Sequence, residues 1–335
     1  MTTTYAVLSD GLEKRFGAVP ALRGLDLAVA EGTVCGLLGP NGAGKTTAVR
    51  LLTTLLRPDA GSARIAGHDL VREAAAIRRR IGVTGQYASV DGDLTGRQNL
   101  RLFARLHRVR NAAARADELL DRFGLADAAD RPAATLSGGM RRRLDLAASL
   151  VRRPDVLFLD EPTTGLDPAS RNRIWDAVRA LKADGTTVLL TTQYLEEADR
   201  LADDIALVDR GRVAHTGSPA ALKALVGAYA EAVVTDAEAL ARAAAVLDRL
   251  TGAEPALDHE RRTVGAVSTD PTLTLPRLVR ELDAAGVPLV DARLRPPTLD
   301  DVFLRLTDGS DSNGRDDSDD SDDSNDSNDS RELVA

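Results

Sequence analysis

The stretch Gly39-Pro40-Asn41-Gly42-Ala43-Gly44-Lys45-Thr46 carries the clearest chemistry in this sequence. Its glycines permit a tight loop whose N–H groups turn inward around a triphosphate, and a helix starting there adds the partial positive charge of its N-terminus. Lys45 is placed to reach the outer phosphates and the Thr46 hydroxyl to bind Mg²⁺, with Thr47 opening the helix behind them. Further on, the apolar run Val156-Leu157-Phe158-Leu159 stops at Asp160 and Glu161. Such a run reads as a buried parallel strand with its acids at the carboxyl edge, where ligands bind in open α/β sheets. There Asp160 holds Mg²⁺ through water, and Glu161 orients the attacking water and accepts its proton. Ser137-Gly138-Gly139 opens a helical pattern and offers an anion a second turn of N–H groups. On those three residues alone, an ordinary capped helix with a flexible entry is the simpler reading.

These residues need a scaffold, and hydrophobic patterning supplies one. Val34, Gly36, Leu37 and Leu38 read as a buried strand before the loop, and Thr47 to Leu56 as a helix after it. Residues 5 to 33 read as short antiparallel strands broken at Gly17, Pro20 and Gly32. Strands are predicted from Ala63 to Ala66 and from Ile81 towards Gln86, with a helix over 70–80. Two helical segments fall between Leu94 and Leu125, the second stopped by Gly124. Downstream, Leu136 opens a helix through Leu150, and Leu166-Asp167-Pro168 opens another that ends at Gly185. The buried strand Thr187 to Thr192 leads to Gln193, and the α/β unit closes near residue 220. Arg141-Arg142-Arg143 reads as a solvated helix face. Phe16, 29 residues before Lys45, is by type a core or turn residue, although an aromatic there can stack on an adenine ring.

The bulk numbers set bounds. At 335 residues the chain can bury two cores. It has no apolar run of about 18 residues, so nothing is expected to span a membrane, and its N-terminus lacks a signal-peptide profile. The single cysteine, Cys35, excludes a disulfide framework, suits a reducing cytosol and reads as a small core residue. The four histidines show no metal-ligand spacing. The net charge of −8 is misleading, because ten Asp and one Glu against two Arg after Leu306 and Thr307 contribute −9. The remainder, near +1, is too balanced to indicate a nucleic-acid partner.

In order and spacing over residues 5 to 220, these motifs resemble the nucleotide-binding subunit of an ATP-binding-cassette transporter. In that resemblance Gly39–Thr46 is the Walker A loop, and Val156–Asp160 is Walker B, followed by the catalytic Glu161. Leu136-Ser137-Gly138-Gly139-Met140 is the signature, with Met140 where Gln is usual. Gln86 matches the Q-loop and joins Thr46 and Asp160 around Mg²⁺, Asp167 matches the D-loop, and Phe16 the adenine-stacking aromatic. Thr84–Ser89, Ser137–Asp145, Thr192–Asp199 and Pro297–Leu304 sharpen the likeness toward the daunorubicin/doxorubicin-resistance type of exporter ATPase. Gln193 stands where most of the superfamily carries histidine. Its amide can donate to the γ-phosphate but cannot carry positive charge. That difference is worth about 1.5–3 kcal/mol, on the order of ten- to a hundredfold in affinity or rate. Modest turnover with Glu161 as principal base is therefore expected.

The resemblance implies a P-loop NTPase of α/β class over residues 1–225. It would combine a RecA-like core, an antiparallel β subdomain and a helical signature subdomain at about 87–150. It implies ATP and Mg²⁺ as cofactors and a head-to-tail homodimer, in which Ser137 and Gly139 of one copy cap the γ-phosphate held by Lys45 of the other. A separate transmembrane permease would contact Gln86 and the segment from Tyr87 to Asn99, and would be the only route to the membrane. The subunit would then sit on the cytoplasmic face, powering efflux of a hydrophobic drug. Residues 226–307 read as a small α+β ferredoxin-like unit. Its strands lie near 232–234, 262–268 and 287–294, with helices over 236–250 and 272–285. The resemblance gives this unit an assembly or regulatory role. The Asp/Ser/Asn tail, 308–335, cannot bury a core and is expected to be disordered. Two rival functions remain open on the sequence: a soluble ATPase of translation or repair type, and an import ATPase.

Overall fold

The structure, a computed structural model, describes residues 4–86, 88–270 and 272–308. The chain begins with β1 (Tyr5–Phe16), β2 (Val19–Ala30) and β3 (Val34–Leu38), followed by α1 (Lys45–Leu52), β4 (Ala60–Ile65) and β5 (His68–Asp69). Then come α2 (Ala74–Arg80), β6 (Ile81–Thr84), α3 (Gly96–Leu106), α4 (Ala112–Arg122), α5 (Gly138–Ser149) and β7 (Val156–Asp160). The cassette is completed by α6 (Pro168–Ala183), β8 (Thr187–Thr192), α7 (Leu195–Leu201), β9 (Asp204–Asp209), β10 (Arg212–Gly217) and α8 (Pro219–Val226).

Every residue of β3, β7 and β8 is buried, as their unbroken apolar runs require. They are the centre of a six-stranded sheet in the order β10-β9-β3-β8-β7-β6, parallel except for β10. In register, Leu38 lies beside Thr192, Thr191 beside Asp160, and Leu159 beside Thr84. The chain therefore leaves four neighbouring strands at one carboxyl edge, through Gly39, Gln193, Glu161 and the loop to Gln86. Side chains on the central strands alternate between two cores. Leu37, Val156, Phe158 and Leu189 pack toward the antiparallel sheet β2-β1-β4-β5, whereas Leu157, Leu159, Val188 and Leu190 pack with α3–α6. No helix among the described residues is long and apolar enough to cross a membrane.

Several boundaries differ from the sequence pattern. The first two strands are long, twelve residues each. Pro20 sits inside β2, which tolerates it as the edge strand of its sheet. Helix α1 stops at Leu52, not Leu56, because Thr54 takes a left-handed conformation (φ 63°) that ends the ladder. Only Ala74–Arg80 of the segment 70–80 is helical, and the last cassette helix runs on to Val226. Gly124 does follow α4 in the left-handed conformation (φ 59°). Cys35 is buried in the core, which pushes its thiol up to about 12.

A third sheet follows, from β11 (Ala228–Val234), α9 (Ala237–Thr251), β12 (Ala256–Asp258), β13 (Thr263–Ser268), α10 (Leu275–Ala284) and β14 (Leu289–Arg295). Its order β12-β13-β11-β14, antiparallel throughout, is the ferredoxin-like βαββαβ arrangement. Short β12 was not resolved by the hydrophobic pattern. Leu240, Leu247, Leu278 and Leu282 of α9 and α10 cover one face of this sheet. The final helix, α11 (Leu299–Asp308), returns to the cassette, where Leu299 and Val302 pack with Leu38, Leu207, Leu222 and Val226. The acidic tail lies outside the described residues.

Candidate nucleotide site

Helix α1 starts immediately behind the glycine loop. Gly44 is its N-cap at φ 106°, and no side chain caps the first-turn N–H groups, which are therefore available to an anion. Any side chain at Gly44 would be strained, and its Cβ would lie 2.6 Å from the Ala21 carbonyl oxygen. Lys45 is 5% exposed, and its Nζ donates to the carbonyls of Gly39 at 2.7 Å and Pro40 at 2.9 Å. Burial pushes its ammonium below the ordinary lysine value, an effect opposed by Glu161 and Asp160. Phosphate oxygens can replace those two neutral carbonyls as acceptors and add the opposite charge.

Thr46 Oγ1 donates to Asp160 Oδ1 at 3.3 Å and receives a hydrogen bond from Gln86 Nε2 at 3.3 Å. The three residues expected around Mg²⁺ thus meet at one hydroxyl. The Thr46 hydroxyl, the Gln86 amide oxygen and the Asp160 carboxylate are hard oxygen donors, few enough to fit a cation that keeps several waters. Asp160 is buried, and its Oδ1 also accepts from Thr191 Oγ1 at 2.6 Å. Glu161 has φ 48°, a strained conformation for a residue with a side chain. Its N–H is held by Thr191, donating to the carbonyl and to Oγ1, both at 3.1 Å. Its Oε2 accepts from Thr164 Oγ1 at 3.2 Å. Asn41, Gly42, Gly44, Lys45, Thr46 and Thr47 line a cleft of ≈ 220 Å³ together with Gln86 and Glu161.

The other expected residues do not line this cleft. Ser137 caps α5, its Oγ accepting from Met140 N at 3.2 Å, and both Ser137 and Gly138 are exposed. Gly139 is buried against α6, where an added Cβ would meet Ser170 Oγ at 2.2 Å. Asp167 caps α6, accepting from Ser170 Oγ at 2.6 Å and Ser170 N at 2.9 Å, bonds that hold its carboxyl below the usual range. Phe16 ends β1 opposite Val19, and both are largely exposed. Gln193 is exposed just past β8.

The arginine run corrects the sequence reading. Successive helix positions point about 100° apart, and each guanidinium reaches backbone carbonyls of a different segment. Arg141 donates to Ala133, Ala134 and Leu136, Arg143 to Phe123 and Gly124, and Arg142 to Gly85, Asp160, Glu161 and Pro162. Arg142 and Arg143 are buried rather than solvated. Composition carries no signal for this, because a basic run on a helix surface looks the same.

Known proteins resemble this chain along most of its length. The profile of the family described as ABC transporter matches residues 22–164. Daunorubicin resistance ATP-binding protein DrrA3 of Streptomyces coeruleorubidus is 58% identical over 305 residues, covering 90% of this chain and 96% of that one. Daunorubicin/doxorubicin resistance ATP-binding protein DrrA of Streptomyces peucetius is 51% identical over 307 residues, covering 91% and 93%. Nod factor export ATP-binding protein I of Ralstonia nicotianae is 40% identical over 306 residues, covering 89% and 92%. Among solved structures, cbiO1 of Clostridium perfringens superposes with a TM-score of 0.61 at 26% identity, covering 65% of this chain and 90% of that one. An ATP-binding cassette solved as a dimer with ADP and Pi after hydrolysis gives 0.58 at 25% identity, covering 63% and 98%. With its Walker loops assembled at one sheet edge and relatives of this similarity along nine-tenths of its length, the chain belongs to the ATP-binding subunits of ABC transporters, in the daunorubicin/doxorubicin-resistance group.

Proposed function

We propose that this ATPase works as a pair, with each triphosphate clasped between the glycine loop of one copy and the Ser137–Gly139 turn of the other. The observation that carries this is an absence from the cleft. Lys45, Thr46, Gln86 and Glu161 line it, with Asp160 bonded to Thr46 behind them, whereas the second anion-binding turn opens to solvent elsewhere on the chain. The dimeric cassette among the structural relatives supports the same arrangement. In this reading the first-turn N–H groups of α1 and the Lys45 ammonium bind the phosphates. Thr46, Gln86 and Asp160 hold Mg²⁺, which when bound neutralises phosphate charge and orients the outer phosphate. Glu161, fixed through its backbone by Thr191, aligns a water and takes its proton. Asp167 and Gln193 contribute from the seam, and Phe16 stacks on the base.

Hydrolysis removes the bridge between copies, and the segment after Gln86 transmits the separation to a separate permease in the membrane. The subunit is accordingly peripheral, on the cytoplasmic face. The relatives described above carry resistance or export names, which favours export over import and over a soluble factor. The cargo we infer is a hydrophobic drug of anthracycline type. The test is ATP-dependent accumulation of daunorubicin in inverted membrane vesicles containing this chain and its permease. The reading predicts uptake that is lost with Lys45→Ala. Uptake unaffected by Lys45→Ala would overturn it.

A further inference from the structure

We infer that Arg142 is a positioning residue for hydrolysis, tying the loop that carries Gln86 and the loop that carries Glu161 to the signature helix as one body. This rests on the function proposed above. Arg142 is 8% exposed, and its guanidinium uses all three nitrogens on backbone oxygens. Nη1 donates to Gly85 at 2.5 Å, directly before Gln86. Nε donates to Pro162 at 2.9 Å, and Nη2 to Asp160 at 3.2 Å and Glu161 at 3.3 Å. A planar fork can serve several segments in this way, whereas a lysine ammonium cannot cover the same span.

One turn along the same helix, Asp145 holds the far side of the Gln86 loop. Its Oδ1 accepts from Ser89 N at 2.7 Å, and its Oδ2 lies 3.6 Å from Arg142 Nη1. Residues 85 and 89 are thus gripped from a single helix face. Burial pushes the Arg142 guanidinium below its ordinary value, an effect opposed by the buried carboxyls of Asp145, Asp160 and Glu197. Removing the guanidinium would leave carbonyls on both loops without donors in a dry environment. Gln86 and Glu161 would then be free to move independently, and so would the permease-facing segment and the hydrolytic acid.

The experiment compares Arg142→Ala, Arg142→Gln and Arg142→Lys in the full chain assembled with its permease. It reads kcat and KM for ATP together with the melting temperature of each variant. We expect Arg142→Ala to lower kcat roughly ten- to a hundredfold while KM moves less than about threefold, the pattern of a lost transition-state alignment. Arg142→Lys, which keeps the charge and can reach one loop at a time, should recover part of the loss. If the alanine variant does not fold, Arg142→Gln carries the test. A second readout is a double-mutant cycle with Gln86→Ala, where Arg142→Gln should cost clearly less in kcat than it does alone. Two results would overturn the inference: a lower melting temperature with unchanged kcat per folded protein, or full additivity with Gln86→Ala. A parallel Glu161→Gln control separates the two levels. If that control still hydrolyses ATP, the catalytic reading itself is wrong, whatever Arg142 does.

Discussion

Thr191 and Asp160 face each other across neighbouring strands, and the threonine hydroxyl donates to the carboxylate at 2.6 Å while accepting the Glu161 N–H at 3.1 Å. One side chain thereby orients the Asp160 carboxylate and fixes the backbone of Glu161. Thr191→Val keeps the shape and removes the hydroxyl. The lost bond to a charged acceptor should cost about 1.5–3 kcal/mol of stability. Half-maximal ATPase activity should also need several times more Mg²⁺, and Thr191→Ser should restore both. Thermal melts and Mg²⁺ titrations check this, and a valine variant with unchanged Mg²⁺ dependence would contradict it.

Gly139 and Ser170 pack so closely that a methyl group at 139 would lie 2.7 Å from Ser170 Cβ. Gly139→Ala should therefore destabilise the α5–α6 contact by about 1–3 kcal/mol. Adding Ser170→Gly should recover most of the melting temperature. ATPase activity should stay low in the double variant, because Ser170→Gly also removes the hydroxyl that donates to Asp167 at 2.6 Å beside the proposed seam. Full recovery of activity would mean that the glycine serves packing alone.

Asp301 anchors the start of α11, accepting from Arg295 Nη1 at 2.9 Å, Arg295 Nη2 at 3.0 Å and Thr298 Oγ1 at 2.6 Å. Arg295, followed by the Thr298 bonds, holds the carboxyl well below the usual carboxylate range. A depressed folded-state value means the contribution is complete above the unfolded value, near pH ~4, and is lost as pH falls further. Asp301→Asn should thus melt earlier than wild type at pH 7, and the gap should begin to narrow below pH ~4 and close only at the much lower folded-state value. A gap constant from pH 7 to 3 would argue against an ionic anchor.

How far the sequence could be read depended on how local the signal was. The loop Gly39–Thr46 and the acids after Val156–Leu159 are contiguous motifs, and both sit where their patterns required. Gln86 joins Thr46 across forty residues, a meeting that only the family likeness anticipated. Leu52 and Leu56 keep helical spacing although the helix has already ended at the left-handed Thr54, so periodicity alone overran the boundary. Arg142 was illegible because burial of a guanidinium depends on carbonyls from residues 85 and 160–162, which only the tertiary fold brings together. The cross-strand role of Thr191 was hidden for the same reason.

The paired arrangement is tested most directly by Glu161→Gln in full-length chain with its permease, loaded with Mg·ATP and sized by light scattering. The substitution keeps the side chain's shape and removes its ability to take a proton, so ATP should stay bound and uncleaved. The account predicts stable association of two ATP-binding subunits, abolished by adding Ser137→Arg. Particles in which the two subunits remain apart with ATP bound would contradict it.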